Sequence, residues 1–325
     1  MNKPKTIRFL SLLLLILIAM MSSSCESEKT ATGSVYAFST LIDISVTSTN
    51  PERDLENIKE IILEAHKLCD NFNEYDDFNN ICTINRVRDN VEVPEELTKL
   101  LVTCVYMRHD TDKYFEFKIG SLSKLYKKLI ESGKEEDIPS DEVISSELEK
   151  LKAMKLHFYQ NTISIDGEGE IDLGAIGKGY ALKKVREYLL RQRIRTYLIN
   201  AGNSSIIVGE KKGSNDYRIG VREVDNLVLS KKHKAIGTSS LLEQNVTING
   251  ELYHHIVNPF TGKNDHYYDT VVVVGDDPLY MDLYSTVLFM MPLEDVKYAV
   301  ECFELDEVYL CKDKQVIYEY QREKS

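Results

Sequence analysis

Apolar residues recur along this chain at strand and helix spacings, and the alternation of the two periods predicts its elements before any chemistry is considered. Residues 35–46 are rich in β-branched and aromatic side chains and predict one long strand. Asp54 then stands where it can cap a helix, whose apolar face would carry Leu55, Ile58, Ile61, Ile62, Ala65, Leu68 and Phe72. Pro94, which a first turn tolerates, opens a second helix through Leu97, Leu100, Leu101, Cys104 and Val105. The stretch 131–152 is rich in Glu and Lys and loosely helical, as a solvated face would be. Short strands are predicted at 162–165, 197–199, 205–208, 217–221 and 246–248, and another at 270–274 leads into an apolar helix over 278–291. Strands and helices alternate irregularly, with hairpin-like spacing in the middle and no internal repeat. The class this predicts is α+β, with two interleaved lobes of mainly antiparallel sheet flanked by helices.

The first residues follow a different pattern. Lys3, Lys5 and Arg8 precede an apolar run, 9–21, that is shorter than the roughly 20 residues a membrane span needs. Ser22, Ser23 and Ser24 then lead into Cys25, a degenerate form of the bacterial lipobox. Residues 1–25 are therefore expected to be a lipoprotein signal peptide with Cys25 lipidated; the alternative is ordinary cleavage without acylation. Either outcome exports the protein, and the first makes it a membrane-anchored lipoprotein facing the periplasm or the cell exterior. A polar linker, 26–33, and one domain, 34–320, complete the expected layout.

Composition then narrows the partners. A chain of 325 residues with 43% hydrophobic content supports one large or two modest domains. Its formal net charge of −12, with no Lys/Arg stripe interleaved with aromatics, argues against a nucleic-acid partner. An acidic protein that takes an anionic ligand needs local help from amide dipoles, a lysine or a metal ion. Besides Cys25, the cysteines are Cys69, Cys82, Cys104, Cys302 and Cys311, with no CxxC spacing. Zinc is unsupported; small buried hydrophobes are the favoured reading, although export permits one or two disulfides.

Three stretches carry candidate chemistry. In the first, 170–188, Ile171-Asp172-Leu173 predicts a short buried strand, Gly174 to Gly179 a glycine-rich turn, and Ala181, Val185, Tyr188 and Leu189 a helix. Such a turn frees N–H groups at a helix N-terminus, where an anion is favoured, although glycines also serve ordinary tight turns. It is not a P-loop, because Asp172 stands five residues before Gly177 and Gly179 follows Lys178; the glycine spacing also fails the dinucleotide fingerprint. The second stretch, Tyr253-His254-His255-Ile256-Val257-Asn258-Pro259-Phe260-Thr261-Gly262, is turn-forming, and one of its two histidines could serve as base or ligand while the other is structural. In the third, Asp282 and Thr286 are four apart on one helical face, a carboxylate and a hydroxyl suited to Mg²⁺. Thr286 alone could bond back to its own helix, but an Asp among apolar residues costs free energy unless paired or metal-bound.

The order DLGAIGKGYA, AIGTSS, YHHIVNPFTG, MDLYSTVLFMM resembles the ApbE family of FAD:protein FMN transferases, whose sequences run like DLGGIAKGYA, TSG, HIIDPRTG and ADALSTAL. Upstream, Phe38-Ser39-Thr40, the segment 73–85 and the segment 114–126 resemble further family motifs, so the likeness covers nearly the whole mature chain. What the resemblance implies is a two-lobed protein that, with Mg²⁺, transfers FMN from FAD to a threonine of an acceptor flavoprotein and releases AMP. By position, it implies Asp282 and Thr286 as metal ligands with a carbonyl of the glycine turn, Gly177. His255 becomes the base, and Thr40, Asp172, Gly174, Ala175, Ile176, Lys178, Gly179, Thr238, His255 and Ile256 the FAD contacts. An FAD pyrophosphatase using water would share these residues, and a non-catalytic FAD-binding lipoprotein is a third alternative, motivated by the substituted glycines described next. The chain departs from the family at Asn200-Ala201-Gly202-Asn203-Ser204, Thr238-Ser239-Ser240, Asn258-Pro259 and Phe115-Glu116-Phe117-Lys118. Side chains where glycine is expected imply a narrower site.

Overall fold

The computed structural model describes residues 27–323, apart from 214, 215 and 223; Cys25 and the expected signal peptide lie outside the described residues. The chain opens with a hairpin, β1 (Lys29–Ala37) and β2 (Thr40–Ser48), rather than the single strand predicted over 35–46. Phe38 and Ser39 make the turn at φ 52° and 59°, the left-handed pair that a two-residue hairpin requires. Strand β1 also draws residues 29–33, expected as linker, into the sheet.

Helix α1 (Pro51–Cys69) starts with proline in its first turn, and Asp54 is buried within that turn instead of capping it. Phe72 lies beyond the helix end and is 43% exposed. There follow α2 (Ile81–Val87), β3 (Val91–Glu92), α3 (Glu95–Asp110), α4 (Gly120–Ser132) and α5 (Asp141–Ala153), then β4 (Lys155–Tyr159) and β5 (Thr162–Asp166). No ladder forms at 171–173: a single bridge joins Ile119 to Glu170, and the Asn85 amide clamps both backbone groups of Ile171. A side chain there replaces a neighbouring strand.

Helix α6 (Gly177–Arg191) leads to β6 (Thr196–Ala201), β7 (Ser205–Val208), β8 (Tyr217–Gly220), β9 (Val228–Lys231), β10 (Lys234–Ser240), β11 (Asn245–Ile248), β12 (Glu251–His254) and β13 (Thr270–Gly275). Then come α7 (Pro278–Phe289), α8 (Leu293–Cys302), β14 (Glu307–Lys312) and β15 (Gln315–Gln321). The main sheet has eight strands in the order β1-β2-β6-β7-β10-β13-β14-β15, antiparallel at every pairing.

Inward residues of the sheet such as Ile42, Ile44, Ile199 and Val271 meet α1, α6 and α7 in one large core. On the other face Ile206, Val208, Ile236 and Val272 pack under the β8–β9 hairpin. Helices α4 and α5 with the β11–β12 hairpin bury Leu122, Tyr126, Leu129 and Ile248 in a second, smaller lobe. Because β11 and β12 lie between β10 and β13 in the chain, the two lobes are interleaved in sequence, as predicted. Cys69, Cys104 and Cys311 are buried, Cys302 is exposed, and the five described cysteines are free thiols.

Candidate functional site

Where the β1–β2 turn, the loop after α1, the start of α6 and the loop after β12 converge, they enclose a cavity of about 390 Å³, within the size range of small-molecule sites. Asp172, Gly174, Ala175, Lys178, Thr238, His255, Ile256, Asp282 and Thr286 all line it, although they come from four stretches far apart in sequence. Four expected residues do not. Thr40 lies one residue past the turn and faces Gly202, so Phe38 and Ser39 meet the cavity instead. Ile176 is fully buried in the core at the N-cap of α6.

Gly177 already belongs to α6, so its carbonyl points along the helix as interior carbonyls do. The N–H that would pair with Ala175 is that of Gly179, and it donates to Asp282 Oδ2 at 2.7 Å. This leaves the Ala175 carbonyl without its helical donor, and Ala175, like Gly174, lies at the cavity wall. Gly179 itself is buried and does not line this cavity: a Cβ there would lie 2.5 Å from the Pro278 carbonyl oxygen and 2.6 Å from Asp282 Cβ. Its role is to let α6 close on α7 and hold the carboxylate.

Asp282 is 4% exposed. Its Oδ1 accepts from Ser205 Oγ at 2.6 Å, and its Oδ2 from Gly179. Burial pushes its pKa up, opposed by Lys178 and by these two donors. No ion pair within 4.0 Å reaches Asp282 among the described residues, so a buried carboxylate here lacks a cation. Thr286 Oγ1 donates to the Asp282 carbonyl at 3.4 Å and lies 3.2 Å from Ser239 Oγ, which keeps lone pairs for the cavity. A carboxylate, a hydroxyl and a free carbonyl are hard oxygen donors, and with water and phosphate completing the shell they fit Mg²⁺. No group of three or more His, Cys, Asp or Glu able to hold a metal occurs among the described residues.

The two adjacent histidines face opposite ways. His254 is fully buried, accepts the Ile256 N–H on Nδ1 and packs edge-on to Phe289; burial and the neighbouring His266 push its pKa down to about 3. His255 lines the cavity, and burial, then Lys178, push its pKa down to about 4, so it is neutral at neutral pH. Its Nδ1 lies 3.4 Å from the Gln244 carbonyl, to which it can only donate, and this tautomer leaves Nε2 as the proton acceptor. Asp172 has its pKa raised by burial, opposed by the Gly174 N–H at 2.6 Å.

Other residues of the site were not among the expected contacts, although Tyr114 and Glu116 belong to a segment that the family resemblance singles out. Asp70, Asn71 and Glu116 line the wall, and the buried Asn71 amide nitrogen has no partner at hydrogen-bonding geometry, although Asp172 is close by. Phe72 stands at the rim under the Lys127 ammonium at 3.4 Å, and Tyr114 meets Phe260 edge to face at 5.0 Å. The substitutions expected to narrow the site do not close it. Asn203 takes the left-handed conformation, φ 65°, which asparagine tolerates, and bonds Asn200 in a separate pocket under β8. Ser240 turns to Thr270 instead of the cavity.

A neutral imidazole, a lysine and a set of oxygen donors around one cleft have the chemistry that suits an anionic ligand. The comparisons with known proteins agree with this class. The ApbE family model matches residues 38–309, and the chain belongs to that family. Relatives named FAD:protein FMN transferase include that of Klebsiella pneumoniae, 28% identical over 217 residues that cover 63% of this chain and 66% of that protein. Another is that of Treponema pallidum, 22% identical over 250 residues, 70% of this chain and 68% of that protein. Among solved structures, the ApbE protein of Thermotoga maritima superposes with a TM-score of 0.76 at 26% identity, covering 87% of this chain and 94% of its own. The flavin transferase ApbE of Vibrio cholerae shares the fold with a TM-score of 0.73 at 19% identity, covering 91% and 97%.

Proposed function

We propose that this chain transfers FMN from FAD to a threonine of an acceptor flavoprotein, releasing AMP. The observation that carries the reading is the convergence of Lys178, His255, Thr286 and the cation-deficient Asp282 on one cavity. Splitting a pyrophosphate requires neutralised charge on its oxygens and an aligned nucleophile. Lys178, at the start of α6, supplies one positive charge beside the helix N-terminus. Asp282, Thr286 and the Ala175 carbonyl would hold a Mg²⁺, whose charge would offset that of the pyrophosphate. The threonine Oγ bonds to the flavin-side phosphorus, the bond from that phosphorus to the bridging oxygen breaks, and AMP leaves with that oxygen. The threonine proton passes to Nε2 of His255, which is unprotonated at neutral pH.

We also propose that the protein is exported and anchored in the membrane through a lipidated Cys25, which intact-mass measurement of the membrane fraction would test. For the reaction itself, the protein is incubated with FAD, Mg²⁺ and a flavoprotein bearing a candidate threonine, and AMP, free FMN and protein-bound flavin are followed together. Transfer yields AMP and bound flavin in equal amounts. AMP with free FMN and no bound flavin would make the protein an FAD pyrophosphatase, and no AMP at all a binding protein.

A further inference from the structure

Ser205 is the one hydroxyl of β7, a strand that continues as Ile206-Ile207-Val208, and it is 1% exposed. A buried hydroxyl among apolar neighbours costs free energy unless it is bonded. This one donates its proton to Asp282 Oδ1 at 2.6 Å. The backbone creates the contact. Ser205 is registered opposite Gly237 of β10, and a Cβ on Gly237 would lie 2.0 Å from the Met281 carbonyl oxygen and 3.0 Å from the Asp282 nitrogen. Helix α7 therefore rests on the sheet at the Ser205–Gly237 pair with no side chain between, and Asp282 comes down beside Ser205. From the other side Gly179 donates to Oδ2. One donor on each oxygen fixes the torsion of the carboxylate and leaves each oxygen a further lone pair.

We propose that Ser205 is a positioning residue for a divalent cation at Asp282, holding the carboxylate so that its remaining lone pairs face the cavity. The inference rests on the FMN-transfer reading, which places that cation there. A serine meeting only its own hydrogen-bonding need could use a strand carbonyl; this one uses a buried carboxylate that lacks a cation. Partners that hydrogen-bond a metal-ligating carboxylate orient it, and their loss typically weakens metal binding by about 10–100-fold.

The test titrates Mn²⁺, which takes the same oxygen sites as Mg²⁺, into the protein with FAD present and follows the paramagnetic resonance signal of the free ion. Ser205→Ala is expected to weaken Mn²⁺ binding by about 10–100-fold, with a melting temperature near wild type without metal and a smaller rise when metal is added. Ser205→Cys, nearly isosteric but a weak donor, is expected to fall between and stands in if the alanine variant does not fold. Ser240→Ala removes a buried hydroxyl that bonds Thr270 instead, and should leave Mn²⁺ affinity unchanged. Wild-type affinity in both Ser205 variants, or a lower melting temperature with an unchanged metal response, overturns the role of Ser205 and leaves FMN transfer standing. Wild-type protein that binds no Mn²⁺ overturns the cation at Asp282, and the role of Ser205 with it.

Discussion

Two buried carboxylates sit at the two ends of α6, and they are served differently. Asp54, 2% exposed between α1 and α6, accepts from Ser48 Oγ at 2.5 Å, Tyr188 OH at 2.7 Å and the Arg53 guanidinium at 3.1 Å. Burial pushes its pKa up, but Ser48, Tyr188 and Arg53 together hold it below the ordinary value. Asp282, between α6 and α7, has a serine and an amide but no guanidinium, and its pKa goes up. The contrast separates a carboxylate that the protein has saturated from one that it leaves short of a cation. Saturation marks structure, and the shortfall marks a site.

The hardest test of that contrast is removal of the unsaturated group. Asp282→Ala is expected to bring Mg²⁺-dependent turnover to background, since it removes the one charged oxygen of the set that Asp282, Thr286 and the Ala175 carbonyl would form. In the wild type, Mg²⁺ with FAD should raise the melting temperature, and in the variant the metal should add little. A variant that still responds to Mg²⁺ like wild type would make Asp282 structural and erase the contrast.

The same contrast holds between the adjacent histidines, of which His254 has its partners inside the protein and His255 opens to the cavity. His255→Ala should slow AMP release by about 10²–10⁴-fold while FAD binding survives. His254→Ala should instead lower thermal stability through loss of packing on Phe289. A larger loss of AMP release in the His254 variant would reverse the assignment.

Smaller effects come from neutralising each carboxylate in turn. Asp54→Asn is expected to cost roughly 1–3 kcal/mol of stability, the scale for hydrogen bonds to a buried charged group. Asp282→Asn should be close to neutral without metal, because it removes a buried charge that has no cation. The pH dependences have opposite signs. The lowered pKa of Asp54 gives stability that is present above the unfolded value of 3.8 and lost as pH falls through the folded one. The raised pKa of Asp282 gives stability that is full below 3.8 and lost as pH rises through the folded one. Melting curves of the two Asn variants against wild type across the acidic range would show the two slopes, and parallel slopes would refute the distinction. Smallest of all, Thr286→Ala should cost roughly 0.5–1.5 kcal/mol in turnover, the worth of a neutral hydroxyl that water can replace. A loss as large as that of Asp282→Ala would mean that Thr286 does more than ligate.

What the sequence disclosed of this site was its contiguous parts. Lys178, His255, Asp282 and Thr286 belong to short runs whose residue types already suit the chemistry, and the fold brings those runs together. Ser205 was hidden because its importance depends on register: only the pairing with Gly237 sets it under α7. Gly179 was misplaced because a glycine near a presumed phosphate is also what two closely packed helices require. In the fold, the β-rich stretch 35–46 concealed its turn because Phe38 and Ser39 are not the Asn-Gly or Asp-Gly pair that signals one. Asp54 suited a capping role by residue type, yet Pro51 starts the helix earlier and Tyr188, distant in sequence, claims the carboxylate.

The seating of α7 on Gly237, and of α6 on α7 at Gly179, has a consequence for anyone who would redirect this protein to another substrate. Two main chains in direct contact have no rotamers to choose among, so the carboxylate inherits a machinist's fit rather than an average over side-chain states. Such a fit admits no gradual retuning, because even alanine places an atom 2.0–2.6 Å from an occupied position at these two residues. Variation is cheapest at the mouth, where Tyr36 and Phe72 are 67% and 43% exposed and a change of bulk disturbs little beyond the lysine that lies over the Phe72 ring. A library that kept the seam between sheet and helices fixed and diversified the rim would explore new acceptors without disturbing the reacting centre.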